Sequence, residues 1–201
     1  GTKRATITIA VPQDIAADLV VPSTVSLAFT GEGRLTIATG KTLTIRGPLL
    51  APAAPIFANA LPGQGTVSFE GNTAIQAVYP EWWGAAPTGN ASVNTPALQA
   101  AVYGAYGKDR KNGTEAMKSN RVLKFSGIYQ IDDELKCYHM NGFRWEGQSK
   151  ITSGLMQVRE NRRIIDGQSV SFGVFSNLNF STAAKQGDGI ALLDINYDGS
   201  Q

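Results

Sequence analysis

One cysteine and one histidine stand in the 201 residues. Cys137 alone excludes an intramolecular disulfide framework and a multi-cysteine zinc site. With His139 as the only imidazole, a metal site would have to be built mainly from carboxylates, and neither metal nor cofactor is expected. Charge is sparse as well: 17% of residues are charged, against ~25% in an average soluble domain. The 18 Lys and Arg against 16 Asp and Glu leave a formal charge of +2. That balance excludes a dedicated nucleic-acid binder, which concentrates basic residues on one face. No apolar run approaches the ~18 residues that span a bilayer, so no membrane insertion is expected. No signal peptide is visible, because Gly1-Thr2-Lys3-Arg4 leads straight into alternating Thr and Ile. The absent initiator Met is read as a processed or recombinant start.

What is present is apolar and evenly patterned: 42% hydrophobic residues and 22 Gly. Such a chain is not disordered throughout, and it is long enough to bury a sizeable core in one or two domains. Thr6-Ile7-Thr8-Ile9-Ala10-Val11 alternates with period two, the pattern of a half-buried strand. Val25 to Phe29, Arg34 to Ala38 and Thr42 to Ile45 repeat it, separated by Gly31-Glu32-Gly33, Thr39-Gly40-Lys41 and Gly47-Pro48. Short, closely spaced strands with Gly, Pro and Ser between them predict stacked β-structure. Ala51 to Pro55 is a Pro/Ala hinge that cannot enter a central sheet. After Thr66 to Phe69 comes an aromatic block, Tyr79-Pro80-Glu81-Trp82-Trp83-Gly84. The period then changes. Thr95 suits a helix N-cap and Pro96 the first helical position, with Ala97, Leu98, Ala101, Val102 and Ala105 on one face. Gly104 and Gly107 are expected to end this helix. A polar loop follows, and short strands return from Arg121 to Leu193 at roughly the 20-residue spacing of a solenoid.

Three stretches carry a resemblance: Val78 to Ala85, Thr95 to Val102, and Val122 to Ile131 with its Gly127-Ile128-Tyr129. Together they resemble the entry to pectate-lyase-like right-handed parallel β-helix proteins, a group that includes phage tailspikes and secreted polysaccharide lyases or epimerases. There a PEWFGA-like stretch leads to a short helix with an AIQAA core, then to a strand ending in G-x-Y. The chain departs in having Val93-Asn94 where acidic residues usually precede the helix Thr, and in its longer, basic loop after the helix. The resemblance implies an all-β fold: a strand-rich N-terminal leader (residues 1–78), then a short capping α-helix and the first coils of a right-handed parallel β-helix (residues 79–201), truncated. An open solenoid end exposes core and strand edges, and the helix is expected to plug it.

Candidate sites follow, each beside a plainer reading. Ala38-Thr39-Gly40-Lys41-Thr42 lacks the earlier Gly and the following helix of a phosphate loop, and reads as a turn. Trp82 and Trp83 can stack on sugar rings, Trp83 being the substrate-binding candidate, but packing at the junction is the plainer reading. Asp132-Asp133-Glu134 reads as a solvated turn rather than a facing carboxylate pair. Asp188 and Asp194 flank the last strand and are the catalytic candidates if that strand lines a groove. Arg159, Arg162 and Arg163 form a basic cluster able to hold an acidic polysaccharide, since guanidinium pairs carboxylate bidentately. Lys108, Arg110 and Lys111 form another, with Lys118 and Arg121 nearby. His139 beside Cys137 reads as structural.

The resemblance implies a tailspike-like or secreted protein, on a virion tail or outside the cell, that binds a polysaccharide and, if it is an enzyme, cleaves it as a lyase or glycoside hydrolase. The alternative is a non-catalytic module that anchors and trimerises a fibre. A homotrimer is expected.

Overall fold

The computed structural model describes residues 3–58, 64–70, 75–107, 121–138, 140, 142–168, 170, 173–183 and 191–194. They are mostly strand, with one α-helix, and the strands form small parallel sheets.

A first set of strands runs in rounds. β1 (Ala5–Ile9), β2 (Gln13–Ile15) and β3 (Leu19–Val21) are followed by β4 (Val25–Phe29), β5 (Leu35–Ile37) and β6 (Thr42–Ile45), then by β7 (Leu49–Leu50) and β8 (Thr66–Phe69). β4 pairs with β1 and β7, β5 with β2, and β6 with β3 and β8, all in parallel. A single bridge from Leu35 to Phe57 continues the β2–β5 sheet. Parallel pairing in register puts like-facing residues on top of one another. Leu19, Leu43 and Val67 therefore form one inward column, and Val21, Ile45 and Phe69 the next. The alternation seen in the sequence is what fills these columns: Leu43 and Ile45 are fully buried, while Thr42 and Thr44, which alternate with them, are half-buried on the outside. Rounds also approach closely at their corners. A Cβ on Gly47 would lie 1.8 Å from the carbonyl oxygen of Val25, so only glycine fits there.

β9 (Ala77–Val78) belongs to a second set, although it closes the stretch expected to be leader. It pairs with β10 (Val122–Phe125), which is followed by β11 (Ile128–Ile131) and β12 (Leu135–Tyr138). The next round is β13 (Arg144–Gly147), β14 (Gly154–Gln157) and β15 (Ile165–Gln168), and the last is β16 (Val174–Ser176), β17 (Asn179–Thr182) and β18 (Ala191–Asp194). Each strand from β10 to β15 pairs in parallel with the strand three places on, giving the sheets β9-β10-β13-β16, β11-β14-β17 and β12-β15-β18. Leu123, Trp145 and Phe175 stack in one inward column, and Tyr129, Leu155 and Phe180 in another. Rings dominate here: Trp145 meets Phe125, Phe143 and Phe175 at centroid distances of 5.6, 6.1 and 5.3 Å.

Helix α1 (Ala91–Tyr106) lies between β9 and β10 in the chain and packs against β8, β11 and β12. It begins one turn earlier than the N-cap reading of Thr95 places it. Asn90 takes the cap position in an extended conformation, and Pro96 sits inside the helix. The reason is Asn94, which is fully buried in the added turn. Its Oδ1 accepts the Ala86 N–H at 2.9 Å, and its Nδ2 donates to the Gly89 carbonyl at 3.1 Å. These two bonds fasten the preceding turn to the helix and stabilise a first turn that proline alone would disfavour. Gly107 ends the helix as expected, with φ 89°. Gly104 does not; it is inside the helix, and a Cβ there would lie 2.9 Å from two atoms of the Trp83 indole.

The helix lies at the junction of the two sets and not at a free end. Its small-residue face, Ala97, Leu98, Ala101, Val102 and Ala105, is buried at the junction, and residues of both sets belong to one hydrophobic core. The two tryptophans knit that junction. Trp83 packs on Phe57 and Phe69, with centroids 5.1 and 6.0 Å apart. The Trp82 carbonyl accepts from the N–H groups of Ile56 and Phe57, and its indole N–H donates to Pro52 O at 3.0 Å.

Candidate functional site

The sequence candidates separate into a buried pair and a surface corner. Trp82 and Trp83 are both in the core. Trp83 is 3% exposed, so its faces are spent on Phe57, Phe69 and Gly104 and are not presented to a sugar ring. The cost of uncovering them would be that of opening the junction itself.

The corner is where the chain turns from the β11-β14-β17 sheet to the β12-β15-β18 sheet. In the first round of the second set this turn carries Asp132, Asp133 and Glu134; in the next it carries Arg159, Arg162 and Arg163. The three acidic residues have separate local duties. Asp132 bonds the Thr95 side chain of α1 through its N–H (3.0 Å) and its Oδ1 (2.7 Å). Asp133 Oδ1 accepts the Glu134 N–H at 3.0 Å and stands 3.6 Å from Arg162. They make a turn, not a facing pair of carboxylates.

The arginine turn is braced from within. Gln157 ends β14 pointing inward and is fully buried. Its Oε1 accepts the Arg159 N–H at 3.0 Å and its Nε2 donates to the Arg163 carbonyl at 2.8 Å. Asn161 takes the left-handed conformation between them, with φ 56°, a geometry Asn tolerates better than most residues. Arg159 and Arg162 are left exposed and Arg163 half-exposed. Arg163 lies 3.8 Å from Asp166 Oδ1.

Asp166 was not singled out by any sequence motif, yet it organises the adjoining surface. It sits on the outward side of β15 and is only 8% exposed. The Tyr138 hydroxyl, from β12, donates to its Oδ2. Burial, and then this bond to Asp166, hold the Tyr138 phenol well above its ordinary range. The register sets Lys136 beside Asp166, Tyr138 beside Gln168, and Gln168 beside Asp194 at the end of β18. Thus Asp194, the one catalytic candidate that the described residues include, falls at the third strand of this same sheet. Asp188 and His139 lie outside the described residues, as do Lys108, Arg110, Lys111 and Lys118. Arg121 is buried, and its carbonyl accepts the Tyr106 hydroxyl at 3.2 Å.

Two other readings settle locally. Ala38 to Thr42 is a turn, with the Lys41 N–H on the Ala38 carbonyl at 3.0 Å and strand β6 after it. Cys137 points into the core, where burial pushes its thiol far up and away from the reactive thiolate. Among the described residues no helix is long and apolar enough to cross a membrane.

Comparison with family models, with curated proteins and with solved structures finds no match to this chain.

Proposed function

We propose that this chain is the N-terminal part of a pectate-lyase-like right-handed parallel β-helix protein, of the phage tailspike or secreted polysaccharide-lyase kind, and that it binds a cell-surface polysaccharide. The fold half of this reading is supported by strands that visit three parallel sheets in turn, with inward residues stacked in columns. The binding half rests on one observation. Arg159, Arg162 and Arg163 stand together on a braced turn, beside a sheet face that carries Lys136, Tyr138 and Asp166. A stiff scaffold that presents donors at its corner suits a long polar ligand better than a small one, because such a ligand gains from repeated shallow contacts. Cleavage, by two carboxylates or by β-elimination, would be added chemistry on the same scaffold. Incubation of the protein with host capsule or lipopolysaccharide tests both parts. Retention of the glycan with the protein is expected. Absence of retention overturns the binding reading, and unchanged glycan length with no unsaturated sugar product overturns the enzyme reading for this chain.

A structural module that trimerises a fibre is the second reading, favoured by apolar side chains on the outside of the first set. Val20 is 49% and Leu50 61% exposed on neighbouring faces. Light scattering tests it; a monomer at every concentration sinks it.

A further inference from the structure

β1, β2 and β3 are the outermost strands of their sheets, so one backbone edge of each is unpaired among the described residues. β1 and β3 hold no proline and no charge, and they run beside β4 and β6 without a bulge, so the devices that usually guard an edge are missing. The end is apolar as well: Ile7, Val11, Leu19 and Val20 are all exposed. The charges of this round are divided among its corners. Lys3 and Arg4 stand over the corner between β3 and β4, where the Ala5 N–H donates to the Thr24 carbonyl at 3.0 Å. Asp18 stands at the corner between β2 and β3, and its Oδ1 accepts the Thr42 N–H at 2.8 Å. Among the described residues none of these three has an ion pair. The corner between β1 and β2, Ala10-Val11-Pro12, carries no charge, and Asp14 lies on β2 itself.

We propose that a second copy of this chain covers this end, head to head, about a two-fold axis through the Val11 corner and the middle of β3. A two-fold contact is self-complementary, so each corner meets either itself or one other corner. An axis through the Lys3-Arg4 corner would set the cations of both copies together, and one through the Asp18 corner would set carboxylate on carboxylate. The axis through the uncharged corner exchanges the other two. It places Lys3 and Arg4 of each copy against Asp18 of the other, so opposite charges meet on both sides of the contact. The same rotation lays β3 antiparallel to its own mate, with Val20 on Val20 and Leu19 opposite Val21. It lays β1 against β2, whose Asp14 then meets a strand without charge. Val11 meets Val11. Ile7 and Leu19 become the middle of one column that runs through both copies, and the free edges gain ladder partners.

Sedimentation equilibrium of the whole chain from micromolar to millimolar concentration tests the proposal. A reversible dimer is expected. Lys3→Glu combined with Arg4→Glu makes both charged corners acidic, and Asp18→Lys makes both basic; each should raise the dissociation constant about tenfold or more, since like charges then face each other. Asp18→Asn, which keeps an acceptor for the Thr42 N–H, should raise it less. Mixed in equal amounts, the acidic and the basic variant should recover a dimer close to wild-type affinity, because each supplies the corner that the other lacks. A variant that had merely lost its fold would not be rescued in this way. Val20→Cys should give a disulfide-linked dimer on mild oxidation, and Thr36→Cys, on the outside of β5 one round away, should not. A monomer at every concentration, a trimer, or a dimer that neither charge variant weakens overturns the proposal, and so does a mixture no tighter than its components.

Discussion

The side-chain amide of Gln99 stands in for a strand beside Lys136. Its Nε2 donates to the Lys136 carbonyl at 3.0 Å and its Oε1 accepts the Lys136 N–H at 2.7 Å. These are the two backbone groups that a preceding strand would take, since β12 is the first strand of its sheet. One helix side chain thus blunts an edge that would otherwise invite pairing with another chain. Gln99→Ala should remove both bonds. Each contributes about 0.5–1.5 kcal/mol, and water can reach this exposed site, so the loss should fall near the low end, about 1 kcal/mol. Urea unfolding should show a lower midpoint with an unchanged slope, and no change would mean that the edge needs no cover.

Gly104→Ala sets two effects of opposite sign against each other. Alanine is better than glycine inside a helix by about 1 kcal/mol. The new Cβ, however, would lie 2.9 Å from Cζ2 and Cη2 of Trp83. That indole is held by Phe57 and Phe69 and cannot swing aside. Overpacking of this kind costs about 1–3 kcal/mol, so a net loss of about 1 kcal/mol is expected in thermal melts. A stabilised variant would show that the junction is looser than its ring contacts imply.

The alternation of strands was readable because it is a local property, and so was the helix face from Ala97 to Ala105. The register was not. Strand offsets in the first set are 20 residues from Ala5 to Val25, 22 from Gln13 to Leu35 and 24 from Leu19 to Leu43, and scattered matches such as Ile15 with Ile37 make no strict repeat, so the stretch reads as separate strands. In the second set Val122 to Arg144 is 22 residues and Arg144 to Val174 is 30, so insertions at the corners mask the period. The place of Asp166 is hidden in the sequence for the same reason. Its partner Tyr138 is distant in sequence and adjacent only once β12 and β15 are aligned. Gln157 is polar yet points inward, on the same buried face of β14 as Leu155. The start of α1 was misplaced because Asn94 acts through tertiary bonds to Ala86 and Gly89, which no capping pattern encodes.

Alkali should destabilise this protein through its buried thiol and phenols. Burial raises the Cys137 thiol far above its ordinary value of 9.0, and raises the Tyr106 and Tyr129 phenols far above 10.0. For Tyr129 the bond to Glu81 at 2.5 Å adds to that effect. An acid raised in the folded state stays protonated there while its unfolded counterpart ionises. Its contribution is complete below the unfolded value and is lost as pH climbs from there towards the folded one. Stability should therefore be flat to about pH 9, then fall, each group adding a slope of about 1.4 kcal/mol per pH unit. Urea midpoints between pH 8 and 11 check this. Cys137→Ser should delay the onset of the fall towards pH 10, and an onset that stays at 9 would assign it to some other group.

Leu19 and Leu43 occupy the same inward column on neighbouring rounds, yet Leu19 is 43% exposed and Leu43 is fully buried. Ile7 and Leu27 differ in the same way, 49% against 4%. The first round thus has the inward pattern of the core, and among the described residues no layer covers it. Truncating a buried leucine costs about 2–5 kcal/mol, because both transfer energy and a cavity are involved. Truncating a half-exposed one leaves no cavity and forfeits only the buried part of its side chain, about 1 kcal/mol. Leu43→Ala should therefore lower the unfolding free energy several times more than Leu19→Ala when both are measured in urea. If the two losses are equal, the end of the column is covered in solution, and concentration-dependent melting of the Leu19→Ala variant would identify a second copy of the chain as the cover.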